Sequence, residues 1–268
     1  MSVPLIVLIK SAHDIGSAIA HRIKSREAAA ILLESPSPGA TRGLMSFAAA
    51  VHEGRAVLEG QAAIRYDDPR AALDAAERAG EIPLLVGDLD GPLPLDAQVM
   101  VDARMLKKSV PPLQIDLAPL TIGIGPGFVA GEHVHAVIES NWGERLGTVI
   151  REGAAEAYTG THRKVEGLGA ERYLYAPHAG TFRTERALLD PIEPGDTAGW
   201  VNETPLKALA GGILRGLATS GLEVAGGAKL VEVDPTGDPA NCRGIASRPA
   251  RIAEGVLEAI DAFRARRG

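Results

Sequence analysis

The stretch "PLIVLIKSAHDIGSAIAHRIK", residues 4–24, decides how the chain is read. Its apolar run from Leu5 to Ile9 stops at Lys10. A polar turn, Ser11-Ala12-His13-Asp14, follows, and an apolar stripe resumes at Ile15, Ile19 and Ile23. A short apolar run bounded by a turn predicts a buried strand over 4–9, and the stripe predicts a helix over 14–25. "AAAILLES" (28–35) predicts a second buried strand ending near Glu34. Strand, helix and strand in this order favour a right-handed crossover and a parallel sheet.

This outline is that of a dinucleotide-binding turn, in which G-x-G-x-x-G gives a tight turn, room for a pyrophosphate and close helix–strand packing. Here Ser11 and His13 hold the first two glycine positions, and only Gly16 holds the third. The helix N-terminus still offers free N–H groups to a phosphate. Asp14 competes for them as a cap and its charge repels phosphate. Glu34 stands where an acidic ribose ligand belongs. The residues favour a helix capped by its own Asp14 over a working NAD loop.

Further along, Ser46 and Gly54 suggest the start and stop of a short helix, and "RAVLEGQAAIRY" (55–66) two strands around Gly60. Asp68 and Pro69 open another helix, with Gly80 as its stop. Strands are expected over 82–88 and 97–106. "SVPPLQIDLAPL" (109–120) reads as a boundary, and from 121 to about 235 short strand-like pieces alternate with glycine and proline. The tail carries Ile252, Val256, Ile260 and Phe263 on one face of a closing helix, with Ser247 as its cap.

The expected architecture is α/β plus β. A Rossmann-like parallel-sheet domain spans 1–110, a glycine-rich β region 111–171, a barrel-sandwich-like module 172–235 and a C-terminal helical segment 236–268. The module is read from a half-repeat, 176–201 followed by 205–234, which resembles biotinyl and lipoyl carrier domains. Those carry a lysine at the tip between the halves. Lys207 instead lies on the strand that begins the second half, so the shape is expected without the carrier chemistry.

The 268 residues carry 28 Lys+Arg and 34 Asp+Glu, a net charge of −6, which argues against a nucleic-acid scaffold. The single Cys242 allows no internal disulfide, and "PLIVLI" is too short for a membrane span. The expectation is a cytoplasmic protein with no membrane and no nucleic-acid partner. Self-association into a homo-oligomer stays open.

Two further constellations bear on chemistry. In "GIGPGF" (123–128), the backbone at Gly125 and Gly127 could form an anion nest. The alternative, a tight buried turn, is equally compatible with the residues. In "EHVHAVIESNWGER" (132–145), a strand over 133–139 would put His133, His135, Val137 and Glu139 on one face. A surface pair is favoured there over a metal site, with Glu139 and Asn141 as pocket candidates.

Several pieces recur in a known order: the opening turn, "FAAAVHEGRAVLEG", "APLTIGIGPGFVAGEHVHAVIESNWGERLGTVI", "GAAEAYTG", "TPLKALAGGILRGL", "EVDPTGD" and "GVLEAI". In this the chain resembles the YqeB-like accessory proteins of selenium-dependent molybdenum hydroxylase systems over nearly its whole length. The family turn G-A-G-D reads Ser11-Ala12-His13-Asp14 here, and its N-R-G-H piece reads Asn141-Trp142-Gly143-Glu144. The resemblance implies a maturation role toward a molybdenum-cofactor hydroxylase related to xanthine or CO dehydrogenase. The leading expectation is that the chain binds the cofactor, as molybdopterin or its dinucleotide form, between the α/β domain and the glycine-rich β region. Asp14, Gly16, Glu34, Gly125, Gly127, Glu139 and Asn141 are the residues expected around it. Two other readings stand beside this one: a nucleotide-dependent transferase or oxidoreductase using the N-terminal domain, and a non-catalytic scaffold that docks a partner subunit. No residue is assigned a catalytic role.

Overall fold

The computed structural model describes residues 5–24, 28–77, 80–107, 109 and 111–266. Residues 25, 78–79 and 110, at the expected ends of two helices and of the first domain, lie outside them. The chain forms two compact units. One comprises residues 1–36, 46–159 and 245–268, and the other 37–45 and 160–244.

The first unit is built on one large sheet. Its strands are β1 (Ile6–Lys10), β2 (Ala29–Glu34), β3 (Arg55–Leu58), β4 (Gln61–Tyr66), β5 (Glu81–Val86), β6 (Val99–Asp102), β7 (Leu120–Ile124), β9 (Ala136–Ile138) and β10 (Val149–Ile150). A two-residue pair, β8 (Val129–Ala130) and β11 (Gly153–Ala154), lies outside it. The order is β10-β9-β7-β6-β1-β2-β5-β4-β3. The strands from β9 to β4 in that order run parallel, and β10 and β3 pair antiparallel at the two edges. β1 and β2 are buried throughout, because strands covered on both faces carry continuous apolar runs.

The helices are α1 (Asp14–Lys24), α2 (Ala50–Glu53), α3 (Pro69–Ala76) and α4 (Ser247–Ala265). Ile6, Leu8, Ala29, Ile31 and Leu33 pack with Ala72 and Ala76 of α3 on one face. On the other, α1 lies against Ile9 at Gly16, and α4 packs on α1 and on β7, β9 and β10. Asp68 caps α3 by accepting from the N–H groups of Arg70 and Ala71, as its sequence predicts. Glu59 and Gly60, at φ 46° and 81°, make the two-residue hairpin turn between β3 and β4.

The second unit holds two four-stranded antiparallel sheets. Their strands are β12 (Tyr173–Tyr175), β13 (Gly180–Arg183), β14 (Pro191–Ile192), β15 (Thr197–Val201), β16 (Thr204–Lys207), β17 (Gly212–Leu217), β18 (Glu223–Val224) and β19 (Lys229–Asp234). The orders are β12-β19-β17-β14 and β16-β15-β13-β18. Phe182, Ile192, Val201, Leu206, Leu214, Val231 and Val233 share one core. Lys207 ends β16, and the turn before that strand is Asn202-Glu203.

The chain is therefore mixed α/β, with one large sheet containing parallel strands and several antiparallel sheets. Three expectations change. The boundary at 110/111 does not divide the sheet, because β7 and β9 extend it beside β6. The segment 236–268 is not a unit of its own: α4 belongs to the first unit, while a 3-10 turn over Pro239–Cys242 belongs to the second. Neither Ser46 nor Ser247 caps a helix. α2 starts later, at Ala50 after Ala49, and Ser247 is itself the first residue of α4.

Candidate functional site

In an open parallel sheet, ligands gather outside the carboxyl ends of the strands where the strand order reverses. Here the chain moves from β1 through β2 to β5 on one side. It then returns to β6 on the other side and continues to β7 and β9. The reversal lies between β1 and β6. The last residue of each strand carries a charge, and the parallel register sets Lys10 beside Asp102.

Lys10 is 1% exposed, at the end of a strand whose other residues are apolar. Among the described residues its amine makes no hydrogen bond and no ion pair. Burial pushes its pKa down from 10.5, and Arg104 adds to that, while Asp102, Asp90 and Asp88 oppose it. Asp102 is fully buried and already occupied. It accepts from the Arg104 backbone N–H at 3.1 Å, from Arg104 Nη2 at 2.6 Å and from Gln114 Nε2 at 2.8 Å. Arg104 also donates to Asp90 at 2.8 Å. Burial disfavours the Arg104 charge, but the bonds and charges of Asp102 and Asp90 outweigh it and raise its pKa.

The expected residues turn out to hold the loops together. In the opening turn Ser11 sits at φ 93°, the conformation glycine would favour, and its hydroxyl accepts from the His13 N–H at 3.2 Å. Ser11 holds this left-handed backbone without being glycine, at a strain of about 1–3 kcal/mol. Gly16 is required, since a Cβ there would strike the Ser11 carbonyl oxygen. Asp14 lies in the first turn of α1 and accepts from the Ile15 N–H at 3.1 Å.

Glu34 is 2% exposed and turns back onto this loop. It accepts from the Ala12 N–H and from the Ser35 N–H, each at 2.7 Å, and lies 3.6 Å from His13 Nε2. The expected ribose ligand therefore already holds a turn N–H that a phosphate would use. Glu139, at the end of β9, behaves alike. Its Oε1 accepts from Ser140 and Asn141, and its Oε2 from Glu156, at 2.7–2.8 Å. Asn141 donates its side-chain amide to Glu156 at 2.7 Å.

The glycine run follows the plain alternative of a tight buried turn. Gly125, at φ 77°, donates its N–H to the Ile138 carbonyl at 2.9 Å, and a Cβ there would strike Ser140 Oγ. That N–H is not available to an anion. Gly127, at φ 103°, is exposed beyond it.

The histidines do not share a ligand. His133 Nδ1 accepts from the Val129 N–H, while His135 Nδ1 accepts from the Thr121 N–H. Cys242 is fully buried in the second unit, where burial and Asp234 push its thiol up to about 11.

The structure thus brings Lys10, Ser11, Glu34, Asp102, Gly125, Glu139 and Asn141 to one edge of the sheet. Of the residues read from sequence, Glu34 and Glu139 are consumed by loop N–H groups, and Asp14 accepts from the Ile15 N–H inside α1. The register neighbours Lys10 and Asp102 were missed. Their signal was present: "IVLIK" and "VMVD" are apolar runs that end in opposite charges.

No family model matches the chain. It is 38% identical over 259 residues to the protein of Escherichia coli strain K12 described as uncharacterized protein YqeB. The match covers 95% of this chain and 47% of YqeB, so the chain spans about half the length of that relative. A succinylglutamate desuccinylase/aspartoacylase structure from Rhodobacter sphaeroides matches 32% of this chain and 29% of its own, at 25% identity. Its TM-score of 0.23 carries no argument about fold or function.

Proposed function

We propose that this YqeB-like chain is an accessory factor in maturing a molybdenum-cofactor hydroxylase, and that it holds the anionic cofactor or its nucleotide form at the carboxyl edge of the large sheet. The role rests on the ordered sequence resemblance. The place rests on a single observation: Lys10, a buried cation without a partner among the described residues, at the strand-order reversal. We read the first unit as Rossmann-like and the second as a barrel-sandwich module without a carrier lysine.

The fit to a phosphate-bearing ligand is confined to Lys10. Glu34 and Glu139 place negative charge at the neighbouring strand ends, and the Gly125 N–H is already bonded. A dinucleotide spread over those residues would meet two carboxylates, so a compact anion beside Lys10 fits better. The reading as a nucleotide-dependent enzyme is weakened at Glu34, which has lost its freedom to hold a ribose.

Calorimetry with molybdopterin and with its dinucleotide form tests this reading, using the full chain and Lys10→Met. Binding that falls at least tenfold in the variant, together with lost hydroxylase activity on deletion of the gene, supports it. No binding, with hydroxylase activity intact after deletion, rejects it. A stoichiometric partner recovered with ligand-free protein would favour the scaffold reading instead.

A further inference from the structure

A cleft of about 600 Å³ lies at the opposite, amino end of the large sheet, where β7 and β9 begin and α4 ends. The volume lies within the range of small-molecule sites, about 300–1,000 Å³. Leu120, Ala136 and Phe263 give it apolar walls, and His135, Arg151 and Arg266 give it polar ones.

The chemistry of His135 follows from its neighbour. Its Nδ1 faces the Thr121 N–H at 3.1 Å and the Thr121 hydroxyl at 2.9 Å, and its own backbone N–H donates to that hydroxyl oxygen at 3.1 Å. Because Nδ1 accepts from a backbone N–H, the proton of the neutral ring sits on Nε2. Nε2 is then a donor with no partner among the described residues. The guanidinium groups of Arg151 and Arg266 likewise have no partner among them. One acidic group, Glu152, also lines the cleft. The walls therefore carry a formal charge of +1 and a neutral imidazole donor over an apolar floor.

We infer that this cleft binds an organic monoanion with an apolar body, such as an aromatic or branched aliphatic carboxylate. The anionic group meets His135 Nε2 and the two arginines, and the body lies against Phe263 and Leu120. This site is separate from the carboxyl edge and does not depend on the molybdenum reading.

8-Anilinonaphthalene-1-sulfonate, an apolar aromatic anion, and its uncharged relative N-phenyl-1-naphthylamine serve as probes in fluorescence titrations of the full chain. Arg151→Glu and Arg266→Glu are each expected to weaken the anionic probe about tenfold, roughly 1.4 kcal/mol, and to leave the uncharged probe within about twofold. Arg70→Glu makes the same charge change on α3 and is the control. The proposal is overturned if the anionic probe does not bind the folded protein. It is equally overturned if the cleft variants bind it like the wild type, or lose no more than Arg70→Glu does. Far-ultraviolet circular dichroism of each variant separates loss of the site from loss of the fold.

Discussion

Glu139→Gln tests whether this carboxylate holds loops or a ligand. The side chain is fully buried and accepts from three backbone N–H groups, those of Ser140, Asn141 and Glu156. A hydrogen bond to a charged group contributes about 1.5–3 kcal/mol, and a neutral one about 0.5–1.5. In the variant an amide oxygen can keep the Ser140 and Asn141 donors, each weakened by roughly 1 kcal/mol. The amide nitrogen then faces the Glu156 N–H, donor against donor. Leaving that buried group unsatisfied costs about 1–3 kcal/mol more. Flipping the amide is worse, because two donors then face the nitrogen instead of one. The expected destabilisation is about 3–5 kcal/mol, against a total of ~5–15 kcal/mol for a folded chain. Urea unfolding reads the loss. Hydrogen exchange at Ser140, Asn141 and Glu156 should show the same loops opening. A variant within about 0.5 kcal/mol of wild type, with protection unchanged, would refute the reasoning and return Glu139 to the role of a ligand group.

Three other outcomes are expected. Gly16→Ala gains about 1 kcal/mol of helix propensity but drives a Cβ into the Ser11 carbonyl, so overpacking of about 1–3 kcal/mol or more wins and the denaturation midpoint falls; an unchanged midpoint would contradict the close approach of α1 to the turn. Lys10 has a folded pKa below 10.5, so between the two values the unfolded chain binds more protons and stability rises with pH; Lys10→Met should remove that alkaline rise in a series of urea titrations, and an unaltered slope would oppose it. Glu232 sits fully buried among Arg42, Lys229 and Arg215; burial favours its protonation, yet those cations hold it well below the usual carboxylate range. Its stabilising contribution is therefore present above about 4.3 and is lost as pH falls toward the folded pKa, so Glu232→Gln should flatten the acid limb of the stability curve.

The local elements were legible because their causes are local. The apolar run before Ser11, the cap at Asp68 and the turn at Glu59-Gly60 each act within a few residues. The larger errors are non-local. Nothing near residue 120 shows that β7 will pair with β6, since "LTIGI" is a short run among glycines and prolines. Nothing in the tail shows that α4 returns to pack on α1. The site residues are hard to read for another reason. A carboxylate after an apolar strand looks the same whether it faces a ligand or folds back onto the next loop, as Glu34 and Glu139 do.

That shared behaviour bears on where a ligand can sit. Each parallel strand ends in a loop whose first N–H groups must be satisfied, and at an open edge water or an anion can satisfy them. Here Glu34, Asp102 and Glu139 do so from within the chain, at the ends of β2, β6 and β9. An incoming phosphate would have to displace a buried carboxylate at each of these places, with like charges facing each other during the exchange. Lys10 lies among them at the end of β1, and among the described residues its amine makes no hydrogen bond and no ion pair. On the proposed reading, the carboxylates that close the neighbouring loops against anions would confine an anionic ligand to Lys10. Neutralising one of them, as in Glu34→Gln, should broaden anion binding along the edge, not abolish it. Loss of all binding in Glu34→Gln, with stability unchanged, would mean that this carboxylate contacts the ligand after all.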